Sequence, residues 1–206
     1  MAKLYFRYSA MNAGKSTALL QAAHNYEEHG RRVRLYTAAL DDRYGVGYVT
    51  SRLGPRRGAL TFDGDTNFAA DLEHESDLSC VLVDEAQFLS DAQVRQLHRI
   101  AHVGNVPVLC YGIRSDFRGN AFPGAAAMLT LADSIEELKT ICPCGKKATM
   151  NVRIDESGNR ITEGEQIAIE GETRYVQLCG RCFYERDRID IASLPRDVAG
   201  DTLFPL

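Results

Sequence analysis

Lys15 and Ser16 close the segment Ser9-Ala10-Met11-Asn12-Ala13-Gly14-Lys15-Ser16, which lies between a short apolar run and an amphipathic one. The segment matches the Walker A phosphate-loop pattern at Gly14, Lys15 and Ser16, with Ser9 where the first glycine usually stands. The chemistry tolerates that change. Backbone N–H groups of Asn12 to Ser16 can wrap an anion at a helix N-terminus, where the helix dipole also favours negative charge. Lys15 would reach the β and γ phosphates of a nucleotide, and the Ser16 hydroxyl would ligate Mg²⁺. A Gly-Lys-Ser tripeptide also occurs by chance as a solvated turn. Its position after an apolar strand and before a helix is what favours phosphate binding.

A second cluster ends the apolar run Cys80-Val81-Leu82-Val83, where Asp84 and Glu85 stand together. An acidic pair at the C-terminal edge of a buried strand lies where α/β sheets bind ligands. Asp84 fits the Walker B aspartate that holds the water shell of magnesium, and Glu85 is placed to accept a proton from the group attacking the γ-phosphate. The pair does not choose between a water nucleophile and a substrate hydroxyl. Asp116-Phe117-Arg118-Gly119 formally satisfies a DxxG pattern, but the chain has no NKxD for guanine, so a GTPase is disfavoured. Tyr111 to Phe122 follows the last apolar strand at the same edge. There Phe117 and Phe122 could stack on a planar base and Ile113 could line the pocket. Core packing is the commoner fate of phenylalanine; the neighbouring Arg114, Asp116 and Arg118 tilt the reading towards a surface pocket.

The third constellation is Cys142-x-Cys144 with Cys179-x-x-Cys182. Four thiolates form the closed tetrahedral set expected of structural Zn²⁺, and metal binding would hold together a subdomain too small for its own core. Redox or unbound thiols are the alternative. Between the pairs, Gly158, Gly164 and Gly171 mark hairpin turns.

These residues need elements to hold them. Leu4 to Tyr8 reads as a strand; a helix from Lys15 follows, with Leu19, Leu20, Ala23 and Tyr26 at helical spacing and Gly30 placed to end it. Arg32 to Thr37 is a second strand, and Leu40 to Asp65 a long loop with one strand near Leu60. Cys80 to Val83 reads as a strand buried on both faces. Ser90 and Gln93 have capping-box spacing, Leu89 and Val94 staple spacing, and Gly104 ends the helix between. Val106 to Tyr111 is another apolar strand. This alternation predicts an α/β fold with a P-loop NTPase-like parallel sheet flanked by helices over residues 1–138. A zinc-ribbon β subdomain is expected over 139–192, and a tail over 193–206.

The chain has 206 residues, 45% hydrophobic and 25% charged, the balance of a folded protein. Its 24 basic and 28 acidic residues give a net charge of −4, which argues against a broad duplex-binding surface. Lys3 and Arg7 interrupt any secretion-signal core, and the weakly polar stretch Ala121 to Ala132 is too short to span a bilayer. The cytoplasm is the expected compartment, where cysteines serve as ligands or buried thiols.

Taken together, YSAMNAGKST (8–17), DDRYG (41–45), VLVDEAQFL (81–89), CYGIRSDFRG (110–119) and the cysteine quartet make the chain resemble the type II, cellular-type thymidine kinase family from Leu4 to about Tyr184. The resemblance implies transfer of the ATP γ-phosphoryl group to the 5′-hydroxyl of thymidine, and of deoxyuridine, in the salvage of DNA precursors. It implies Glu85 as proton acceptor, and Ser9 to Ser16 with Asp84, Glu85, Ala86 and Gln87 as the ATP and Mg²⁺ site. Phe117 matches the aromatic stacking on thymine, Met11, Ile113 and Phe122 the pocket walls, and 166–175, with Tyr175, a lasso loop that closes over the base. Cys142, Cys144, Cys179 and Cys182 would bind zinc, although some bacterial relatives use histidine as the last ligand. The family is typically a homotetramer inhibited by thymidine triphosphate. Arg43 or Arg118 would help to neutralise phosphate charge. The rival reading is a P-loop ATPase whose ribbon grips nucleic acid, opposed by the net charge; a nucleotide-regulated module with an inert site is a third.

Overall fold

The computed structural model describes residues 1–41, 45–75, 77–166 and 174–194. Arg43, Gly171, most of the 166–175 loop and the tail beyond residue 194 lie outside the described residues. The apolar run Leu4–Tyr8 forms β1 and turns into α1, Lys15–Glu27, which buries Leu19 and Ala23. Gly30 takes φ 68° in the turn that follows, and Arg32–Ala38 forms β2.

The stretch expected to be loop with one strand holds three. β3 (Tyr48–Thr50) and β4 (Arg56–Gly58) make a hairpin, and β5 (Leu60–Phe62) joins the edge of the main sheet beside β2. The hairpin carries little apolar alternation, because only Val49 of its six paired residues is buried. Instead the Arg56 guanidinium stacks 3.7 Å from the centre of the Tyr48 ring.

α2 (Phe68–Asp71) leads to β6 (Leu78–Val83), and a 3-10 turn at Ala86–Phe88 leads to α3 (Asp91–His102). The capping box closes as its spacing predicts: Gln93 N–H donates to Ser90 Oγ at 3.2 Å, and Ser90 N–H to Gln93 Oε1 at 2.9 Å. β7 (Val108–Gly112), α4 (Pro123–Leu131) and β8 (Ser134–Glu137) complete the layer. α4 arises where the sequence showed only weak polarity. Its Pro123 sits in the first turn, and its Gly124 packs so closely that a Cβ there would stand 2.5 Å from the Leu89 carbonyl.

The six strands run β5-β2-β6-β7-β1-β8, every neighbouring pair parallel. Alternate residues sort the core into two faces. Val81, Val83 and Cys110 pack with Val94, Leu97 and Met128 of α3 and α4, while Cys80, Leu82 and Leu109 pack with Leu19 and Ala23 of α1. The central strands are therefore covered on both sides, as a parallel sheet requires. This is a P-loop-like α/β fold, and β1, β6 and β7, which lead into Ser9, Asp84 and Ile113, are parallel and end on the same edge.

Beyond it, β9 (Thr140–Ile141) pairs with β10 (Lys147–Ala148). β11 (Met150–Ile154) lies between β12 (Arg160–Ile161) and β13 (Arg174–Leu178) in an antiparallel sheet, and α5 (Gly180–Glu185) follows. These elements share a separate apolar cluster that includes Val152, Ile154, Val176, Leu178 and Phe183. Among the described residues no helix is long and apolar enough to cross a membrane.

Candidate active site

The phosphate loop is shaped by two left-handed residues, Asn12 at φ 59° and Gly14 at φ 77°. Glycine adopts that conformation without strain, and α1 starts directly after it at Lys15. Ser9 is buried and its Oγ accepts from Lys15 Nζ at 3.2 Å; Lys15 Nζ also donates to the Ala10 carbonyl at 3.3 Å. The serine thus does what a first glycine could not: it holds the lysine over the loop. Met11 N–H donates to Asn151 Oδ1 at 2.8 Å, tying the loop to β11.

Ser16 Oγ donates to Asp84 Oδ2 at 2.8 Å, so the two residues expected to share a cation meet across the sheet edge. Burial, and then the neighbouring Glu85 carboxylate, push the Asp84 carboxyl up to about 7, against the opposite pull of Ser16 and Lys15. A carboxyl raised on folding favours the native state below its unfolded value and loses that contribution as pH rises through about 7. Asp84→Asn should therefore raise the melting temperature of the ligand-free protein, and by more at pH 8 than at pH 5. The gain is roughly 2–4 °C for each kcal/mol relieved, followed by scanning calorimetry. An equal gain at both pH values would contradict the assignment.

Glu85 takes φ 51°, a strained setting for a residue with a side chain and one that clusters at functional sites. Gln87 Nε2 donates to Glu85 Oε2 at 2.5 Å, while Ile113 N–H donates to Gln87 Oε1 at 3.1 Å. Gln87 is buried, and its amide is spent on these two partners; Ala86 is buried beside it. Gly112 leaves the space, since a Cβ there would stand 2.7 Å from Gln87 Oε1.

Met11, Ile113 and Phe122 all belong to or border the α3–α4 side of the core. Phe88, which the sequence reading passed over, meets Phe122 edge to face with ring centres 5.7 Å apart. The 114–122 loop is pinned by buried Asp116, which accepts from the N–H groups of Arg118 and Asn120 at 2.9 and 2.8 Å. Phe117 is 1% exposed, covered in part by Arg153, and Arg118 pairs with Asp116 at 3.3 Å. Tyr175 is half-buried on β13, at the far end of the 166–175 loop. Asn151 and Arg153 were also unforeseen. Period-two alternation could have found them, because Val152 and Ile154 fill the ribbon core and so turn 151 and 153 towards the main sheet.

The four ribbon cysteines have sulfurs within 4.8 Å of one another, Cys144 and Cys179 being 3.6 Å apart. Zn–S bonds of about 2.3 Å set tetrahedral S···S edges near 3.8 Å, so the donor set fits zinc. Cys80 and Cys110 are inert by contrast: burial pushes both thiols up, Cys80 to about 12.

A loop with the Walker A pattern before α1, and an aspartate and a glutamate directly after β6, meet on one edge of a parallel sheet, the arrangement of a P-loop-like α/β protein. A family model described as thymidine kinase matches residues 2–183. The thymidine kinase of Chromobacterium violaceum is 58% identical over 185 residues, covering 89% of this chain and 99% of that one. Those of Albidiferax ferrireducens and Idiomarina loihiensis are 59% and 56% identical, covering 89% and 90% of this chain and 93% and 97% of theirs. The chain belongs to the thymidine kinase family.

Proposed function

We propose that this protein is an ATP-dependent thymidine kinase that transfers the γ-phosphoryl group to the 5′-hydroxyl of thymidine, and also of deoxyuridine, in nucleotide salvage. Beyond family membership, the observation that carries the reading is the hydrogen-bonded chain Glu85–Gln87–Ile113. It sets the proton acceptor in one frame with a wall of the base pocket, as transfer to a nucleoside hydroxyl requires and hydrolysis of ATP does not. The loop from Ser9 to Ser16, with Lys15, would bind the phosphates, and Glu85 would take the 5′-hydroxyl proton. Magnesium held at Ser16 and Asp84 would neutralise charge on the β and γ phosphates; because this transition state is loose, in-line positioning supplies the rest. Phe117, Phe122, Ile113, Met11 and Tyr175 form the nucleoside side. The test is product analysis: phosphorus NMR should show thymidine 5′-monophosphate, and a 3′-phosphate or free phosphate alone would contradict it.

The division at residue 138, zinc in the cysteine quartet, a homotetramer, inhibition by thymidine triphosphate and a cytoplasmic location belong to the same proposal. The family resemblance supports the assembly and the inhibitor. The net charge of −4 supports the absence of a nucleic-acid partner.

The Gln87 geometry has a kinetic consequence. Gln87→Leu removes both of its hydrogen bonds, and kcat should fall roughly tenfold, the worth of about 1.4 kcal/mol of lost positioning, with both KM values near wild type. Gly112→Ala should act in the same direction by displacing the same amide. Steady-state kinetics decide it, and an unchanged kcat in both variants would contradict the role.

A further inference from the structure

Arg153 is 7% exposed, yet among the described residues none of its contacts is a carboxylate and its Nε has no hydrogen-bond partner. What it touches is specific. Nη2 donates to the Glu163 carbonyl at 2.9 Å and Nη1 to the Glu165 carbonyl at 3.4 Å, while Cζ lies 4.2 Å from the centre of the Phe117 ring. Gly164, between the two carbonyls, takes φ 113°, and a Cβ there would stand 2.6 Å from Nη2. Only a residue without a side chain lets the backbone curl round the guanidinium in this way. On β11, Arg153 is in register with Ile161 on one side and Tyr175 on the other. It therefore sits between the strand that leads into the 166–175 loop and the strand that leads out. A second tie runs parallel to it: Gln166 Nε2 donates to Asp116 Oδ2 at 3.2 Å, joining the start of that loop to the turn that carries Phe117.

We propose that Arg153 is a positioning residue for the nucleoside base, fixing the Phe117 ring to the backbone at Glu163 and Glu165 and to β12 and β13 on either side. This rests on the reading of Phe117 as part of the nucleoside side of the active site. A planar guanidinium can stack on a ring while its two ends hold separate carbonyls; a lysine ammonium keeps the charge but not the fork. The residue stands on the ribbon strand and, among the described residues, none of its contacts is to the phosphate loop, so its loss should weaken nucleoside binding and spare ATP binding.

The experiment uses the full-length, zinc-loaded protein, with thymidine varied at saturating ATP and ATP varied at saturating thymidine. Arg153→Lys and Arg153→Gln should raise the thymidine KM by roughly 10- to 100-fold, with the ATP KM within about twofold and zinc content unchanged. Gly164→Ala presses on the same guanidinium from a different residue and should shift the thymidine KM the same way; it decides the matter if the Arg153 variants fail to fold. An unchanged or lowered thymidine KM would overturn the proposal, and so would parallel changes in both KM values and kcat, which mark a general structural role. Failure of the wild-type protein to phosphorylate thymidine would overturn the activity itself, an outcome visible before any variant is made.

Discussion

Glu85→Gln should slow phosphoryl transfer by roughly 10²- to 10⁴-fold, the usual cost of removing a general base, while leaving the KM for ATP and for thymidine close to wild type. The substitution is nearly isosteric, and the backbone around it is over-determined. Glu85 N–H donates to Asp84 Oδ1 at 3.0 Å, and the Ala86–Phe88 turn is locked between Gly112 and Gly124. The strained φ of residue 85 should therefore survive, so a lost rate would report the missing carboxylate and not a rearranged loop. The new amide cannot take the hydroxyl proton. Single-turnover kinetics with enzyme in excess isolate the chemical step; a variant that keeps near-full turnover would remove Glu85 from the mechanism.

Cys179→Ser carries the second large effect. Cys179 occupies the N-cap position of α5 directly after β13, so a metal bound to its thiol would anchor both the last strand of the ribbon and its helix. Metal binding energy is folding energy in a subdomain of this size, since the ten residues of its buried cluster include three of the four cysteines. Without zinc, β11 loses the neighbour that keeps it extended, and with β11 go the Asn151 tie to the phosphate loop and the Arg153 contact with Phe117. The variant should bind less than stoichiometric zinc and lose at least about 10²-fold in kcat/KM for thymidine, through misplacement of the site rather than loss of chemistry. The main sheet should persist, because its two apolar clusters contain no residue beyond Leu138. Zinc content by atomic absorption, circular dichroism and kinetics on one sample test this. A zinc-free variant with full activity would contradict it.

What the sequence made legible was whatever local chemistry dictates. The phosphate loop, the capping box at Ser90 and Gln93, and the doubly buried strand before Asp84 are each written in a few consecutive residues, and each folds as those residues require. The β3–β4 hairpin was hidden because an arginine stacked on a tyrosine replaces the apolar alternation that marks a strand. α4 was hidden because its small residues look featureless until Gly124 is seen against the Leu89 carbonyl. At the site, residue types gave Lys15, Ser16, Asp84 and Glu85. They could not show that the Gln87 side chain turns back to Glu85, nor that Phe117 is covered by an arginine from another sheet, because both depend on contacts between distant segments.

The most direct test is ADP release from ATP and Mg²⁺ in the presence and absence of each of a panel of nucleosides. Release that requires thymidine, with the monophosphate appearing one for one with ADP, is the predicted result. Release indifferent to every nucleoside but stimulated by nucleic acid would contradict it, favour a water-activating Glu85, and remove the base-binding roles of Phe117 and Arg153 together.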